Sequence, residues 1–256
     1  MLSRVQNNKL RRLYAPYRGN GFKCNYCGNS FSKFAPWHAR SENSEALDRN
    51  KVIAGYGENV FCPECMSTSR ERLVIGMLGT MNISGKEILH LAPEEKIFNV
   101  LKRKCNVISA DLMPGLYSNA DKHIRYADVT MLPFTDQCFD MVIANHIMEH
   151  IPNDHKAMRE IYRVLRDNGF AILQIPFSAT NGFTIEDISI DDPDKQSALF
   201  GQKDHVRIYS LNDYMNRLRK AGFVVGYMPY ESLGELHNYA IQPDEGFISI
   251  VKKTNE

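Results

Sequence analysis

From Lys86 onward, two patterns of apolar and polar residues alternate along the chain. Short runs of consecutive apolar residues predict strands buried on both faces, and apolar residues three or four positions apart predict helices. The predicted strands are EILHLA, NVISAD, HIRYAD, FDMVIAN, FAILQIP, FVVGYMPY and GFISIVKK. The predicted helices are PEEKIFNVLKRK, DHKAMREIYRVLRDNG, which ends at Gly169, and LNDYMNRLRKAG. This alternation predicts an α/β fold, a doubly wound, mostly parallel seven-stranded sheet with helices on both faces.

The N-terminal part of the chain has a different character. Residues 22–66 are rich in aromatic side chains and contain two Cys-x-x-Cys pairs. Apolar residues at helical spacing predict a helix over 66–80 that begins at Ser67 or Thr68. We therefore expect two domains: a basic arm with a small zinc-ribbon-like subdomain over 1–66, and the α/β domain over 67–256.

The two cysteine pairs predict a metal centre. Cys24 and Cys27 form one pair and Cys62 and Cys65 the other, each within a turn that contains Gly28 or Pro63. Two such turns can supply four thiolates to one tetrahedral ion. Zinc is the expected ion and iron the alternative. Four thiolates leave no open position, so we expect a structural role; the competing interpretation is four buried thiols without an ion.

Composition narrows the possible partners. Apolar residues make up 43% of the chain and charged residues 24%, which are ordinary globular values. A formal net charge of +1 argues against a chain that binds a polyanion along its whole surface. Residues 1–23 are basic without any acid, which predicts either an arm for RNA or another acidic partner, or a solvated helix. We find no signal peptide and no membrane-spanning run, so we expect a cytoplasmic protein with reduced cysteines.

Two acids follow the predicted second and third strands. Asp111 comes about 20 residues after the first strand, where dinucleotide-binding folds place a carboxylate that accepts ribose hydroxyls. Asp128 follows the third strand, where a carboxylate can accept from an adenine amino group beside the apolar wall of Val129. A lone acid at a strand end is more often a turn or cap residue. Two in this order, ahead of an apolar strand and a His-rich loop, favour an adenosine site.

Residues 62–230 resemble a class I S-adenosylmethionine-dependent methyltransferase, and most closely a bacterial subgroup with a cysteine-rich N-terminal knot. The segments that carry the resemblance are CPECMSTSRERL, LHLAPE, ADVTMLPFTDQCFDMVIANHIMEHIPND and LFGQKDHVRIYS. The resemblance implies that Asp111 holds the ribose, that Asp128 holds the adenine, and that Asn145 and His146 line the methyl-transfer site. The expected cofactors are S-adenosylmethionine and structural zinc.

The segment LHLAPE, at the end of the first predicted strand, departs from most of the class. A Gly-rich loop usually lets the backbone approach the methionine part of the cofactor, whereas this chain has no glycine there. A degenerate site that binds no cofactor is therefore an alternative. The resemblance still favours binding, and the predicted cofactor-binding residues are Ala92, Pro93, Glu94, Asp111, Leu112, Asp128, Val129, Asn145 and His146.

Methyl transfer needs a general base only when the accepting atom must lose a proton. The candidates are His146, His150 and His205. His146, after the fourth strand, is the best placed, His205 lies beside Asp204, and for His150 a capping or packing role is favoured. The polar, Asp-rich segment 178–204 predicts a lid or binding loop, with a mobile insertion as the alternative.

Three functions are compatible with the sequence: a small-molecule or glycan methyltransferase, an RNA methyltransferase that holds RNA with its arm and cysteine knot, and a non-catalytic interaction module. Balanced charge favours the first function over the second, and the two acids favour it over the third. The sequence leaves the acceptor and the oligomeric state open.

Overall fold

The structure is a computed structural model that describes residues 4–39 and 41–253. Residues 1–3, 40 and 254–256, which include the start of the predicted basic arm, lie outside the described residues. The helices are α1 (Arg4–Tyr14), α2 (Ser41–Arg49), α3 (Ser69–Gly79), α4 (Glu95–Leu101), α5 (Asp154–Val164), α6 (Pro193–Phe200) and α7 (Leu211–Lys220). The strands are β1 (Arg18–Lys23), β2 (Ser30–Phe31), β3 (Ala35–Trp37), β4 (Val52–Ile53), β5 (Gly57–Phe61), β6 (Glu87–Leu91), β7 (Asn106–Asp111), β8 (Arg125–Tyr126), β9 (Phe139–Ile143), β10 (Leu165–Ile172), β11 (Phe177–Ser178), β12 (Ile185–Glu186), β13 (Arg207–Ser210), β14 (Val224–Met228) and β15 (Phe247–Val251).

Within the described residues, the chain forms two compact units. The first contains the described part of Met1–Ala39 together with Gly55–Asn82 and Pro229–Phe247. The second contains the described parts of Arg40–Ala54 and Ile248–Glu256 together with Ile83–Met228. The unit that holds the cysteines therefore continues past residue 66, where the sequence placed the domain boundary, through α3 to Asn82.

The second unit is built on a seven-stranded sheet in the order β14-β15-β10-β9-β6-β7-β8. The pairs β6–β7, β6–β9, β9–β10 and β7–β8 are parallel, and β15 runs antiparallel to β10. The predicted doubly wound, mostly parallel sheet is confirmed. Its strand order reverses between β6 and β9, which places a crevice at their carboxyl ends.

The sheet core follows from the apolar runs. Ile88, Leu89, Val142 and Ile143 are fully buried in the central strands, as continuous apolar runs in parallel strands require. Helix α5 covers this core with one apolar face. The buried residues of that face are Ala157, Met158, Ile161 and Val164.

The predicted end of α5 is wrong. The helix stops at Val164 rather than Gly169, because Leu165 already pairs with Phe139 at the start of β10. The register of β10 then shifts before Phe170. A Cβ on Gly169 would lie 2.7 Å from the carbonyl oxygen of Arg166, so glycine permits a close backbone approach in the strand and does not cap a helix.

A second sheet in this unit was not predicted. Its order is β12-β13-β11-β4, and most of its strands have only two residues. The segment 178–204, predicted as a lid or binding loop, contains β12 and α6. The side chain of Asp192 caps α6 by accepting from the backbone N–H of Lys195 at 2.8 Å.

The first unit contains two small antiparallel pairs, β1–β2 and β3–β5, together with α1 and α3. Phe31 and Phe34 form its core with the buried cysteines. Helix α3 begins where the sequence predicted, because Thr68 caps it in a capping box with Glu71. Within residues 4–39 and 41–253, no helix is both long and apolar enough to cross a bilayer.

Candidate functional site

The four predicted metal ligands converge in the first unit. The sulfurs of Cys24, Cys27, Cys62 and Cys65 all lie within 4.8 Å of one another. The Sγ atoms of Cys24 and Cys65 are 3.6 Å apart, and those of Cys27 and Cys62 are 3.8 Å apart. Four ligands at about 2.3 Å from a tetrahedral ion would be separated by about 3.8 Å. The donor set therefore fits a four-thiolate zinc or iron ion.

Hydrogen-bond donors and a buried cation around the sulfurs stabilise negative charge on them. Hydrogen bonds from the other thiols, that of Cys27 first, lower the pKa of Cys24 far below its ordinary value. Arg72, fully buried, donates to the carbonyl oxygens of Val60 and Ser67, which flank the second pair. The hydroxyl of Ser67 lies 3.3 Å from the sulfurs of Cys24 and Cys65. A buried cation beside the sulfurs favours their thiolate form.

In the second unit, two strained residues mark the crevice between β6 and β9. Ala92 follows β6 with φ 43°, and His146 follows β9 with φ 52°. Non-glycine residues occupy this left-handed region at a cost, and they concentrate at functional sites. Ala92 thus takes the left-handed conformation that glycine favours, although the loop contains none.

A buried polar chain lies at the same edge of the sheet. The Nδ2 of Asn145 donates to Oε1 of Glu94 at 3.0 Å, and Nε2 of His90 lies 2.7 Å from Oε2 of Glu94. Burial raises the pKa of Glu94, but the hydrogen bond and charge of His90 outweigh it, so the pKa is lowered overall. Glu94 is therefore an ionised carboxylate beside the first loop.

The two predicted adenosine-binding acids also lie at strand ends. Oδ1 of Asp111 accepts from the backbone N–H of Met113 at 2.6 Å, and Oδ1 of Asp128 accepts from that of Thr130 at 2.8 Å. Each acid thus has a turn role as well. Large apolar side chains nearby are exposed, namely Leu112 (55%), Met113, Leu116, Tyr126 and Met131. Carboxylates beside uncovered apolar side chains fit a ligand with apolar faces and polar edges, such as adenosine.

Tyr117 lies near Asp111 and near Asp204 of the loop before β13. Burial first, and then the charges of the carboxylates of Asp111, Glu94 and Asp204, raise the pKa of its phenol to about 12. Sequence reasoning missed Tyr117, since nothing in its local pattern distinguishes it from a loop aromatic.

A cluster of histidines and acids lies beyond β9. Glu149 is 1% exposed, and its Oε1 lies 3.5 Å from Nδ1 of His146. The rings of His150 and His205 meet edge to face, with centroids 4.6 Å apart. Nδ1 of His150 lies 3.3 Å from Oδ2 of Asp204. The structure thus brings His146 and His205, the predicted general bases, together with Glu149, which the sequence did not assign to the site, and with His150, for which the sequence favoured a capping or packing role.

Burial and charge set the protonation of this cluster. Burial raises the pKa of Glu149, but the hydrogen bond of His146 and the charges of the histidines lower it to about 2. Burial lowers the pKa of His205 to about 4. Burial also lowers the pKa of His150, but Asp204 outweighs it and raises the pKa overall. At neutral pH the cluster therefore contains an ionised Glu149 and a neutral His205.

Comparison with known proteins agrees with this architecture. Residues 93–173 match the family model of a methyltransferase domain. A demethylmenaquinone methyltransferase of Lactobacillus johnsonii is 35% identical over 75 residues, which cover 25% of this chain and 31% of that relative. The match thus spans about a third of the relative's length.

Solved structures share the fold. A Mesorhizobium loti S-adenosylmethionine-dependent methyltransferase has a TM-score of 0.50 and 15% identity, over 70% of this chain and 97% of that one. A chain from the complex of the Haloferax volcanii Trm112 methyltransferase activator with its candidate methyltransferase has a TM-score of 0.50 and 15% identity, over 72% and 90% of the two chains.

The strand order, with its antiparallel β15, and the match of residues 93–173 to a methyltransferase domain support the predicted class I S-adenosylmethionine-dependent methyltransferase.

Proposed function

We propose that the protein transfers a methyl group from S-adenosylmethionine to a small-molecule or glycan-type acceptor at the carboxyl ends of β6, β7 and β9. The observation that supports this most is the meeting of Glu94, Asn145 and His146 at the strand-order reversal, where such sheets bind ligands. S-adenosylmethionine, when bound, supplies an already activated methyl group, so the protein mainly has to position the reactants.

Five of the predicted cofactor residues have a role that their place supports. Asp111 would accept the ribose hydroxyls, and Asp128 would accept the adenine amino group beside Val129. Glu94, ionised and half-buried, would accept the ammonium group of the methionine part. The positive φ of Ala92 would let the backbone after β6 approach the cofactor, as the glycine-rich loop does in most of the class.

The acceptor side is lined by histidines. A neutral His205 can take a proton from an acceptor hydroxyl, and His146 lies next to Asn145 at the end of β9. The segment before His205 contains many acids; they are Glu186, Asp187, Asp191, Asp192, Asp194 and Asp204. Such a segment favours a neutral, polyhydroxylated or cationic acceptor over a phosphate backbone.

Calorimetry with S-adenosylmethionine tests this proposal. The wild type should bind it, and Asp111→Ala should weaken binding by about 1–3 kcal/mol, the usual cost of losing hydrogen bonds to a charged acceptor. Asp121→Ala is a matched control, because Asp121 accepts from the backbone N–H of His123 in the same two-residue turn. A wild type that binds nothing at millimolar ligand would leave the non-catalytic interaction module as the better interpretation.

A further inference from the structure

A second set of metal-ligand side chains belongs to the second unit, whereas the four-cysteine cluster belongs to the first. One ligand atom each from Glu149, His150 and His205 lies within 4.8 Å of the others. Glu149 and His150 are neighbours in the turn after β9, whereas His205 comes from the loop before β13. The fold therefore brings His205 to a histidine and a carboxylate from a distant part of the sequence.

The carboxylate of Glu149 is incompletely satisfied. It is 1% exposed, and across the described part of the chain its Oε2 has no hydrogen-bond partner. A buried carboxylate oxygen without a partner carries a desolvation penalty that a bound cation would remove. This oxygen is thus an independent indication that a positive ligand completes the cluster.

Neighbouring groups orient the histidines in a way that suits an ion. Nδ1 of His150 lies 3.3 Å from Oδ2 of Asp204 and 3.2 Å from its backbone oxygen, so the other ring nitrogen stays available. Metal-bound histidines usually make such a contact to a carboxylate or a carbonyl. The side chain of His150 is 27% exposed, which gives an ion a path from solvent.

The backbone around the cluster is held rigidly. Arg207, 1% exposed, donates to the carbonyl oxygens of Met148 and Ile151 on either side of Glu149 and His150. The backbone N–H of Val206 donates to the carbonyl oxygen of Glu149 at 3.0 Å. These bonds fix the turn after β9 against the loop that carries His205, so the three side chains are pre-organised rather than brought together by an ion.

We propose that Glu149, His150 and His205 bind one divalent transition-metal ion. Two imidazoles and a carboxylate suit Zn²⁺, Mn²⁺ or Fe²⁺ and leave coordination positions open, unlike the four-thiolate centre. The cluster adjoins His146, so the open positions would take an oxygen of the methyl acceptor. This part of the inference rests on the proposed function. With the ion bound, His205 would be a ligand and would no longer be the proton acceptor. The ion would lower the pKa of a bound acceptor hydroxyl, whose proton would pass to water. The oxygen would then form its bond to the methyl carbon as the methyl–sulfur bond of S-adenosylmethionine breaks, leaving S-adenosylhomocysteine.

The test adds Mn²⁺ to the full-length protein as purified, because manganese prefers oxygen and nitrogen ligands and thus reports on this cluster rather than on the cysteines. Free ion is removed, and total metal per chain is measured in wild type, Glu149→Gln, His205→Asn and the control His123→Asn. His123 is an exposed histidine of the same unit. Wild type and control should hold one ion per chain more than the two cluster variants, whose Mn²⁺ Kd should rise at least about tenfold.

Equal metal content in all four proteins, or a wild type that neither holds a second ion as purified nor binds Mn²⁺, would overturn the assignment and leave Glu149 as a partner of the histidines alone. The wild-type titration decides this even if a variant does not fold. Calorimetry with S-adenosylmethionine on the same samples separates the two proposals. Cofactor binding without the ion retains the proposed function and refutes the metal site, and the ion without cofactor binding does the reverse.

Discussion

Three residues in this protein are held in an unfavourable backbone conformation or an unfavourable environment, at a free-energy cost that the rest of the fold must offset. Ala92 and His146 lie in the left-handed region, which costs an L-residue roughly 1–2 kcal/mol. Both follow neighbouring parallel strands, so their strain is concentrated where the cofactor and the acceptor are proposed to meet. Glu245, in the first unit, is buried away from water, which disfavours its ionised form and raises its pKa to about 7.

Glu245→Gln should make stability less sensitive to pH. Glutamate has an ordinary pKa of 4.5, so both folded and unfolded states hold the proton below that value. Between pH 4.5 and about 7 only the unfolded state ionises, and the wild type loses stability as pH rises. At pH 8 the variant should be more stable by up to about 3 kcal/mol, since each pKa unit corresponds to about 1.4 kcal/mol.

Urea unfolding at pH 4.5 and at pH 8 measures this effect. The exposed Glu235 provides the control Glu235→Gln, which should change stability little at either pH. A Glu245→Gln variant that is less stable than the wild type at pH 8 would show that an ionised Glu245 is favourably paired.

At the scale of elements, α3 connects helix formation to the cysteine centre. The capping box at its start is complete, with the backbone N–H of Glu71 donating to Oγ1 of Thr68 at 3.1 Å and that of Thr68 donating to Oε2 of Glu71 at 2.8 Å. One turn later, Arg72 anchors the chain around Cys62 through its carbonyl contacts. The start of this helix therefore positions the cation that faces the sulfurs.

Thr68→Ala should destabilise the protein by about 1 kcal/mol, because the first turn of α3 loses its side-chain acceptor. Thr68→Ser retains the hydroxyl and should stay close to the wild type. Denaturant unfolding of the three proteins compares them directly. Equal stability of the alanine and serine variants would mean that water replaces the cap at no cost.

At the scale of the whole molecule, each compact unit has its own core and its own candidate metal chemistry. The first unit has only small antiparallel pairs and few buried apolar residues around its sulfurs. Small cores of this kind usually need a metal or disulfides for stability. All six cysteines are free thiols in the structure, so a metal is the expected stabiliser.

Protein purified without added metal should hold one ion per chain at the cysteine centre. A Cys27→Ser, Cys65→Ser double variant should lose that ion and unfold at a lower temperature than the wild type. Cys105→Ser is the control, because Cys105 lies outside the cluster and donates to the carbonyl oxygen of Ile83. Metal analysis and thermal unfolding provide the readouts, and an unchanged metal content in the double variant would refute the assignment.

The distribution of charge over the chain predicts no salt-dependent RNA binding at physiological ionic strength. Lys9, Arg11 and Arg12 on α1 are exposed, but the segment before His205 is acidic. A filter assay against bulk cellular RNA measures binding at several salt concentrations. Micromolar binding that falls steeply with salt, and that a Lys9→Gln, Arg11→Gln, Arg12→Gln variant loses, would instead favour the RNA methyltransferase.

Local pattern determined much of this protein. Apolar runs encode burial on both faces, so the central strands β9 and β10 of the large sheet could be predicted from them. The spacing and turn residues of the cysteine pairs predicted the four converging sulfurs. The end of α5 was different: strand pairing by Leu165 prevails over the helical pattern that continues to Gly169.

Only the tertiary structure decided which distant groups meet. The two-residue strands β4 and β11 pair with each other through Ile53 and Phe177, which are far apart in the sequence. Strands this short carry no periodic signal. Likewise, His205 reaches Glu149 and His150 because β13 closes against the turn after β9. Residue identity shows which side chains can bind a ligand, but their convergence depends on long-range packing, which no local window of sequence contains.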